Sequence, residues 1–300
     1  MEPSGILIIN KPEGMTSHDV VNRVRRLFSL KRVGHTGTLD PMASGVLVVL
    51  IGRAAKAAEY ISDSKKAYFA TLRLGTTYDT QDITGTPLKV CDDIPSADAV
   101  ISVVNTFCGE ILQVPPMYSA LKVNGQKLYD LARKGIEVER EARPITIHSI
   151  SATPTQSPTD YVLSVECSAG TYIRTLCEDI GNTLGCGGAM ATLKRTLAGG
   201  FDIECSYTLE EVEAFTEEKR LSLLHPTEQL FSDLEQINLP SFFERLSRNG
   251  CEIYLKKLGK DIPTGQRVRL CSQSGAFYAL GEVKEYAEGK AIKAIKLFDI

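Results

Sequence analysis

The sequence predicts an α+β fold with a small, mostly β unit at its C-terminal end. Apolar runs of strand length and period-two segments stand beside amphipathic stretches with helical spacing. Three hundred residues exceed the usual single-domain size, so one large domain and one small domain are expected. The character of the chain also changes near its end. Residues 201–236 carry ten acids and two bases, whereas residues 237–300 carry eleven bases and seven acids. The expected boundary therefore separates domains 1–236 and 237–300.

Residues 6–9 read as a short buried strand feeding Asn10-Lys11-Pro12. Ser17 caps a helix in which Val20, Val21, Val24, Leu27 and Phe28 recur at helical spacing, with Arg23, Arg25 and Arg26 on the other face. Residues 46–51 are a buried strand, followed by an alanine-rich helix over 53–61. Residues 65–74 alternate and put Tyr68, Ala70, Leu72 and Leu74 on one face. By itself, an aromatic in such a strand is a core residue.

Asp79 and Asp82 fall in a polar turn, DTQDITG, which lacks the twelve-residue calcium pattern. Ser96 caps a second helix, with Ala99, Val100, Val103, Val104 and Phe107 inward. Residues 117–143 form a hairpin-like excursion with an Asn124-Gly125 turn and a short helix around 127–134. It is rich in cations and too poor in apolar residues to have a core of its own.

Strands follow at 144–153 and 161–168. Gly170-Thr171-Tyr172-Ile173-Arg174 then opens a helix that Gly185-Cys186-Gly187-Gly188 ends. Residues 189–197 are a strand carrying Leu193, Lys194 and Arg195. Thr208 and Glu211 make a capping box. Beyond Ile237, strands at 252–255, 267–271, 277–284 and 291–298 suggest a small barrel.

The stretch Gly34-His35-Thr36-Gly37-Thr38-Leu39-Asp40-Pro41 stands out. Asp40 is the one acid between Asp19 and Glu59, an interval that holds seven Arg or Lys. Nearby positive charge favours a carboxylate over the neutral acid. Pro41 biases Asp40 toward extended backbone, and Gly34 and Gly37 permit a tight bend. This suits a nucleophile or base beside an anion site. Spacing alone favours a structural turn. A phosphate loop is excluded, because no Gly-Lys-Ser/Thr follows.

The order of residues decides the reading. GHTGTLDP resembles the active-site signature of bacterial tRNA pseudouridine-55 synthases, the TruB family. KPEGMTS at 11–17, MYSALKVNGQKLYDLARKGIEVEREARPI at 117–145 and GTYIRTLCEDIG at 170–181 extend the likeness in matching order. The resemblance implies a pseudouridine-synthase fold with a mixed, mostly antiparallel sheet and flanking helices. It also implies a thumb insertion at about 117–143 and a PUA-like RNA-binding β domain at the end.

The implied reaction is isomerisation of the T-loop uridine of tRNA by base flipping, without cofactor. Asp40 is then the nucleophile, and Arg174 grips its carboxylate in a bidentate pair. Tyr68 and Tyr172 line the base, Leu193 touches its face, and Tyr68 assists removal of the C5 proton. His35 packs against the displaced nucleotide. Lys11 is either a phosphate contact or a packing stem. Lys122, Lys127, Arg133 and Lys134 of the thumb meet the RNA backbone.

Composition narrows the alternatives. No apolar run approaches the roughly 20 residues of a membrane helix. No basic leader precedes residues 6–9, so a cytoplasmic location is expected. The protein is also expected to act as a monomer. The eight cysteines and four histidines show no close ligand spacing. They are expected as buried thiols in a reducing compartment, without metal or disulfide. Two rival functions stand beside the isomerase. One is an RNA-binding protein without catalysis, and the other is an aspartate-based nucleoside hydrolase. The hydrolase reading suffers from the want of a second well-placed carboxylate.

Overall fold

The computed structural model describes residues 2–61, 65–119, 121–123 and 125–298. Its main feature is a nine-stranded sheet in which seven strands form the central run. Their order is Gly5–Lys11, Ser44–Ile51, Gly188–Ala198, Lys66–Leu74, Asp160–Cys167, Arg143–Pro154 and Gly109–Gln113. Val33–His35 pairs with Ser44–Ile51, and Phe201–Asp202 with Gly188–Ala198. The pairings are antiparallel except between the second and third strands of that run, where Lys194 and Arg195 lie parallel to Ser44 and Gly45.

Ser44–Ile51 is apolar from Val46 onward because both of its faces are covered there. Val46, Val48 and Leu50 join one core with Ile6, Ile8, Phe231, Leu280 and Phe298. Leu47, Val49 and Ile51 join another with Val20, Val21, Val24, Leu209 and Val212. Every residue from Val46 to Ile51 is fully buried. At about 1.5–3 kcal/mol for each large side chain, this strand is a rigid mount for the loop before it.

In the other half, Tyr68, Ala70, Leu72 and Leu74 face a core built with the helices Ala97–Thr106 and Ile173–Thr183. The opposite face there is open, with Phe69 and Val162 exposed.

Several local expectations needed correction. Thr16, not Ser17, caps the helix Ser17–Leu27, and it forms a capping box with Asp19. Arg23, on the polar face of that helix, pairs at the surface with Glu210 and Glu213. The alanine-rich segment is the 3₁₀ helix Gly52–Tyr60. Neither Gly34 nor Gly37 takes a positive φ. The left-handed glycine is Gly45, at φ 103°, where a Cβ would collide with the Arg195 backbone. Cys167, Cys177, Cys186 and Cys271 are buried as expected, but Cys108, Cys205 and Cys251 are exposed.

Within 117–143 the structure forms a two-stranded hairpin and the short helix Leu128–Ala132. Asn124 of the expected turn lies outside the described residues. The C-terminal strands make a five-stranded sheet that also recruits Glu235–Asn238. Its end strands, Glu235–Asn238 and Ile253–Tyr254, are not paired with each other, so the expected barrel is open. Helix Ser241–Arg248, absent from the sequence reading, packs beside Ile253 and Tyr278.

Candidate active site

The loop carrying Asp40 is held on both sides by buried polar groups. On the near side, the Ser17 hydroxyl accepts from the Leu39 N–H at 2.8 Å and donates to the Leu39 carbonyl at 3.1 Å. Leu39 itself is 3 % exposed. On the far side, the Pro41 carbonyl accepts from the Gly14 N–H at 2.8 Å. The Ala43 N–H closes a turn onto the Asp40 carbonyl at 3.0 Å. The KPEGMTS segment thus works as a clamp on residues 39–41.

Lys11 belongs to that clamp, and its assignment as a substrate contact is corrected. The side chain is fully buried, and Nζ donates to the carbonyls of Pro12, Met15 and Pro41 at 2.8, 2.7 and 3.4 Å. Three donors meet three carbonyls, so none is left for a phosphate. Burial brings its pKa down to about 8, although the Asp40 charge opposes the fall.

The sign of the linkage follows. Between about 8 and 10.5 the unfolded chain binds the proton that folded Lys11 has released, so stability should rise with pH across that window. Below it both states are protonated and the slope vanishes. Urea titrations at several pH values, wild type against Lys11→Met, should show this extra slope in the wild type alone. Equal slopes would contradict the depressed value.

Arg195 is the second anchor, and the sequence reading missed it. It is 1 % exposed, and it donates from Nε to Val46 O at 2.8 Å, from Nη1 to Thr38 O at 3.4 Å and from Nη2 to Gly37 O at 3.1 Å. The signal was available, because Arg195 shares a strand face with buried Leu193 by simple alternation.

Arg174 reaches Asp40 as expected, but not as a fork. Its Nε lies 3.0 Å from Asp40 Oδ2. The Nη atoms instead donate to Thr80 O at 3.2 Å and Tyr118 O at 2.7 Å. Arg174 Nη1 also lies 3.7 Å from Asp82 Oδ2. One guanidinium therefore ties together the signature loop, the 78–85 turn and the base of the thumb.

A second carboxylate is thus present after all, and nothing in DTQDITG distinguished Asp82 from Asp79. Asp82 is 4 % exposed, and its Oδ1 accepts from the Thr80 hydroxyl and from both the N–H and hydroxyl of Thr84. So enclosed, it is placed to orient Arg174 rather than to meet a substrate.

Tyr68 and Leu193 sit beside Leu39 and Ile173 in one core cluster, both 7 % exposed. Burial pushes the Tyr68 and Tyr172 phenols up, and the Asp40 charge adds to the rise at both. They are neutral rings next to the carboxylate. Gln113 holds the Tyr172 backbone by accepting from its N–H and donating to its carbonyl. His35 is pulled down by burial and by Arg195, so it is a neutral imidazole. Its buried Nδ1 has no partner.

Lys122, Lys127, Arg133 and Lys134 stand apart from this centre. With Gln126 and Asp130 they line an open basin of about 620 Å³ on the thumb. Lys127 and Arg133 lie over the Tyr129 ring, at 5.5 and 5.4 Å from its centroid. No group of metal-ligating residues occurs among the described residues. None of the described helices is long and apolar enough to cross a membrane.

The fold and the family matches that follow place the chain in the pseudouridine-synthase class. A solved structure of a Cbf5-Nop10-Gar1 complex has the same fold, with a TM-score of 0.73 at 27 % identity, over 98 % of this chain and 85 % of the other. Residues 25–173 match the family described as "TruB family pseudouridylate synthase (N terminal domain)". Residues 174–232 match "tRNA pseudouridylate synthase B C-terminal domain".

A Clostridium kluyveri relative named tRNA pseudouridine synthase B is 45 % identical, covering 98 % of this chain and 99 % of its own. One from Clostridium acetobutylicum with the same name is 44 % identical, with the same coverage. The chain belongs to the TruB family of pseudouridylate synthases.

Proposed function

We propose that this protein isomerises uridine 55 in the T-loop of tRNA to pseudouridine, as a monomer in the cytoplasm and without cofactor. The observation that supports this most is the Asp40–Arg174 pair, 3.0 Å apart, with Asp40 on a loop fixed at residues 39 and 41. The names of the relatives, tRNA pseudouridine synthase B, support tRNA as the substrate.

The base would be flipped out of the loop to reach Asp40. Asp40 is the nucleophile, a carboxylate able to hold a covalent intermediate while the uridine N1–C1′ bond breaks. The freed uracil turns between Tyr68, Tyr172 and Leu193 and rejoins C1′ through C5. The hydrogen on C5 leaves as a proton, and Tyr68 assists its departure. No redox change occurs. His35 packs against the displaced nucleotide. Lys122, Lys127, Arg133 and Lys134 neutralise backbone phosphates of the T-arm. The catalytic domain runs from residue 1 to the expected boundary near 236, and the C-terminal unit, whose sheet begins with Glu235–Asn238, contacts RNA beyond it.

Tritium at C5 of uridine tests the reaction. Transcribed tRNA labelled there should release label to water on incubation with the protein, and free uracil should not appear. A chelator should change neither result. A binding protein would release nothing. A hydrolase would liberate labelled uracil, and either outcome would refute the reading.

A further inference from the structure

Arg195 is not alone under the signature loop. A Cβ built on Gly37 would lie 3.7 Å from Arg195 Nη1 and 3.7 Å from Lys66 Nζ, so the two cations converge on that turn. Arg195 has carbonyl partners for Nε, Nη1 and Nη2. Lys66 has no hydrogen bond and no ion pair among the described residues. The charged or titratable groups acting on it are Arg195 and Cys167. The Cys167 thiol is pushed up to about 11 by burial, so it is neutral. Two cations therefore converge on this turn with no counter-charge among the described residues, an arrangement that favours an anion from outside.

Position identifies that anion. Lys66 lies two residues before Tyr68 on the same strand, hence on the same face. The separation along the strand is roughly 7 Å. That span is comparable with the distance from a nucleobase to its own phosphate. His35, on which Arg195 also acts and whose Nδ1 has no partner among the described residues, adds no charge. Burial and Arg195 hold the Lys66 ammonium below the ordinary lysine value, as expected for a cation lacking its partner.

We propose that Lys66, backed by Arg195, forms a phosphodiester subsite under the Gly37 turn that grips one of the two backbone phosphates flanking the target uridine. The proposal rests on the reading of the chain as a uridine isomerase. It makes Lys66 a positioning residue, which fixes the nucleotide while the base is handled next door.

The test uses the full-length protein and a T-arm hairpin labelled with tritium at C5 of the target uridine. A neutral methylphosphonate replaces the phosphate on its 5′ side or its 3′ side. Single-turnover release and equilibrium binding are measured for wild type, Lys66→Gln and Lys66→Arg. At one of the two positions the methylphosphonate should slow wild type about tenfold, equivalent to one lost contact of about 1.4 kcal/mol.

Lys66→Gln should be slowed about as much on unmodified RNA, with little further loss on that methylphosphonate. Lys66→Arg should regain the penalty, showing that charge and not packing is at stake. A penalty that persists undiminished in Lys66→Gln would overturn the proposal. So would a wild type indifferent to both methylphosphonates. If wild type releases no tritium from unmodified RNA, the isomerase reading fails instead, and the binding penalties still judge the phosphate contact.

Discussion

Asp40→Asn should eliminate tritium release, with turnover down by at least on the order of 10⁴-fold, as for loss of a nucleophile elsewhere. The amide is nearly isosteric, so the clamp should survive. Ser17 still holds Leu39, and Gly14 and Lys11 still hold Pro41. Arg174 keeps its carbonyl partners at Thr80 and Tyr118 and its neighbour Asp82. Folding and affinity for tRNA should therefore stay within a few-fold of wild type, because affinity rests on phosphate contacts that this carboxylate does not make. Appreciable turnover in the variant would remove Asp40 from the mechanism. Lost activity together with lost affinity would point to a collapsed loop instead. Measuring release and binding on the same preparation separates these outcomes.

Arg174→Lys should be the second most damaging change. The reason differs from the fork geometry expected at first, since Arg174 meets Asp40 through Nε alone. Its other nitrogens serve Thr80 O, Tyr118 O and the vicinity of Asp82. An ammonium has three donors at one point and cannot span groups on three separate segments. At least one buried acceptor would lose its partner, at a cost of about 1–3 kcal/mol in stability. Asp40 would also lose its fixed aim, and a displacement near 1 Å can cost about 10²-fold in rate. The expected result is a lowered Tm with kcat reduced by that factor or more, and KM changed much less. Wild-type turnover in the lysine variant would dismiss this role. A fall in KM-linked binding alone would instead assign Arg174 to the RNA.

Both predictions depend on contacts that differ in how far sequence could reveal them. Local pattern disclosed most of the secondary structure, because a side chain's burial follows the period of its own element. The alternation at 66–74 placed Tyr68, Ala70, Leu72 and Leu74 on the buried face, as observed. The capping box of Thr208 and Glu211 is a contact within one turn, and it is present. Resemblance, rather than periodicity, singled out Asp40 and Arg174. The structure then brought them together.

Tertiary approach alone decided what the buried cations do. Lys11 and Arg195 bond to backbone carbonyls, and every residue type carries a carbonyl, so no sequence pattern marks the partner. Asp82 acquires its meaning because the 78–85 turn docks beside helix Ile173–Thr183, where Gln81 accepts from Thr175 and Arg174 comes within 3.7 Å. The C-terminal unit contributes Leu280 and Phe298 to the core under Ser44–Ile51, which its charge alone did not suggest. Sequence by itself determined most of the elements, the signature and the resemblance that pointed to the family. The folded chain decided which polar groups hold that signature in place, since a buried charge is satisfied by whatever the chain brings within about 3 Å of it.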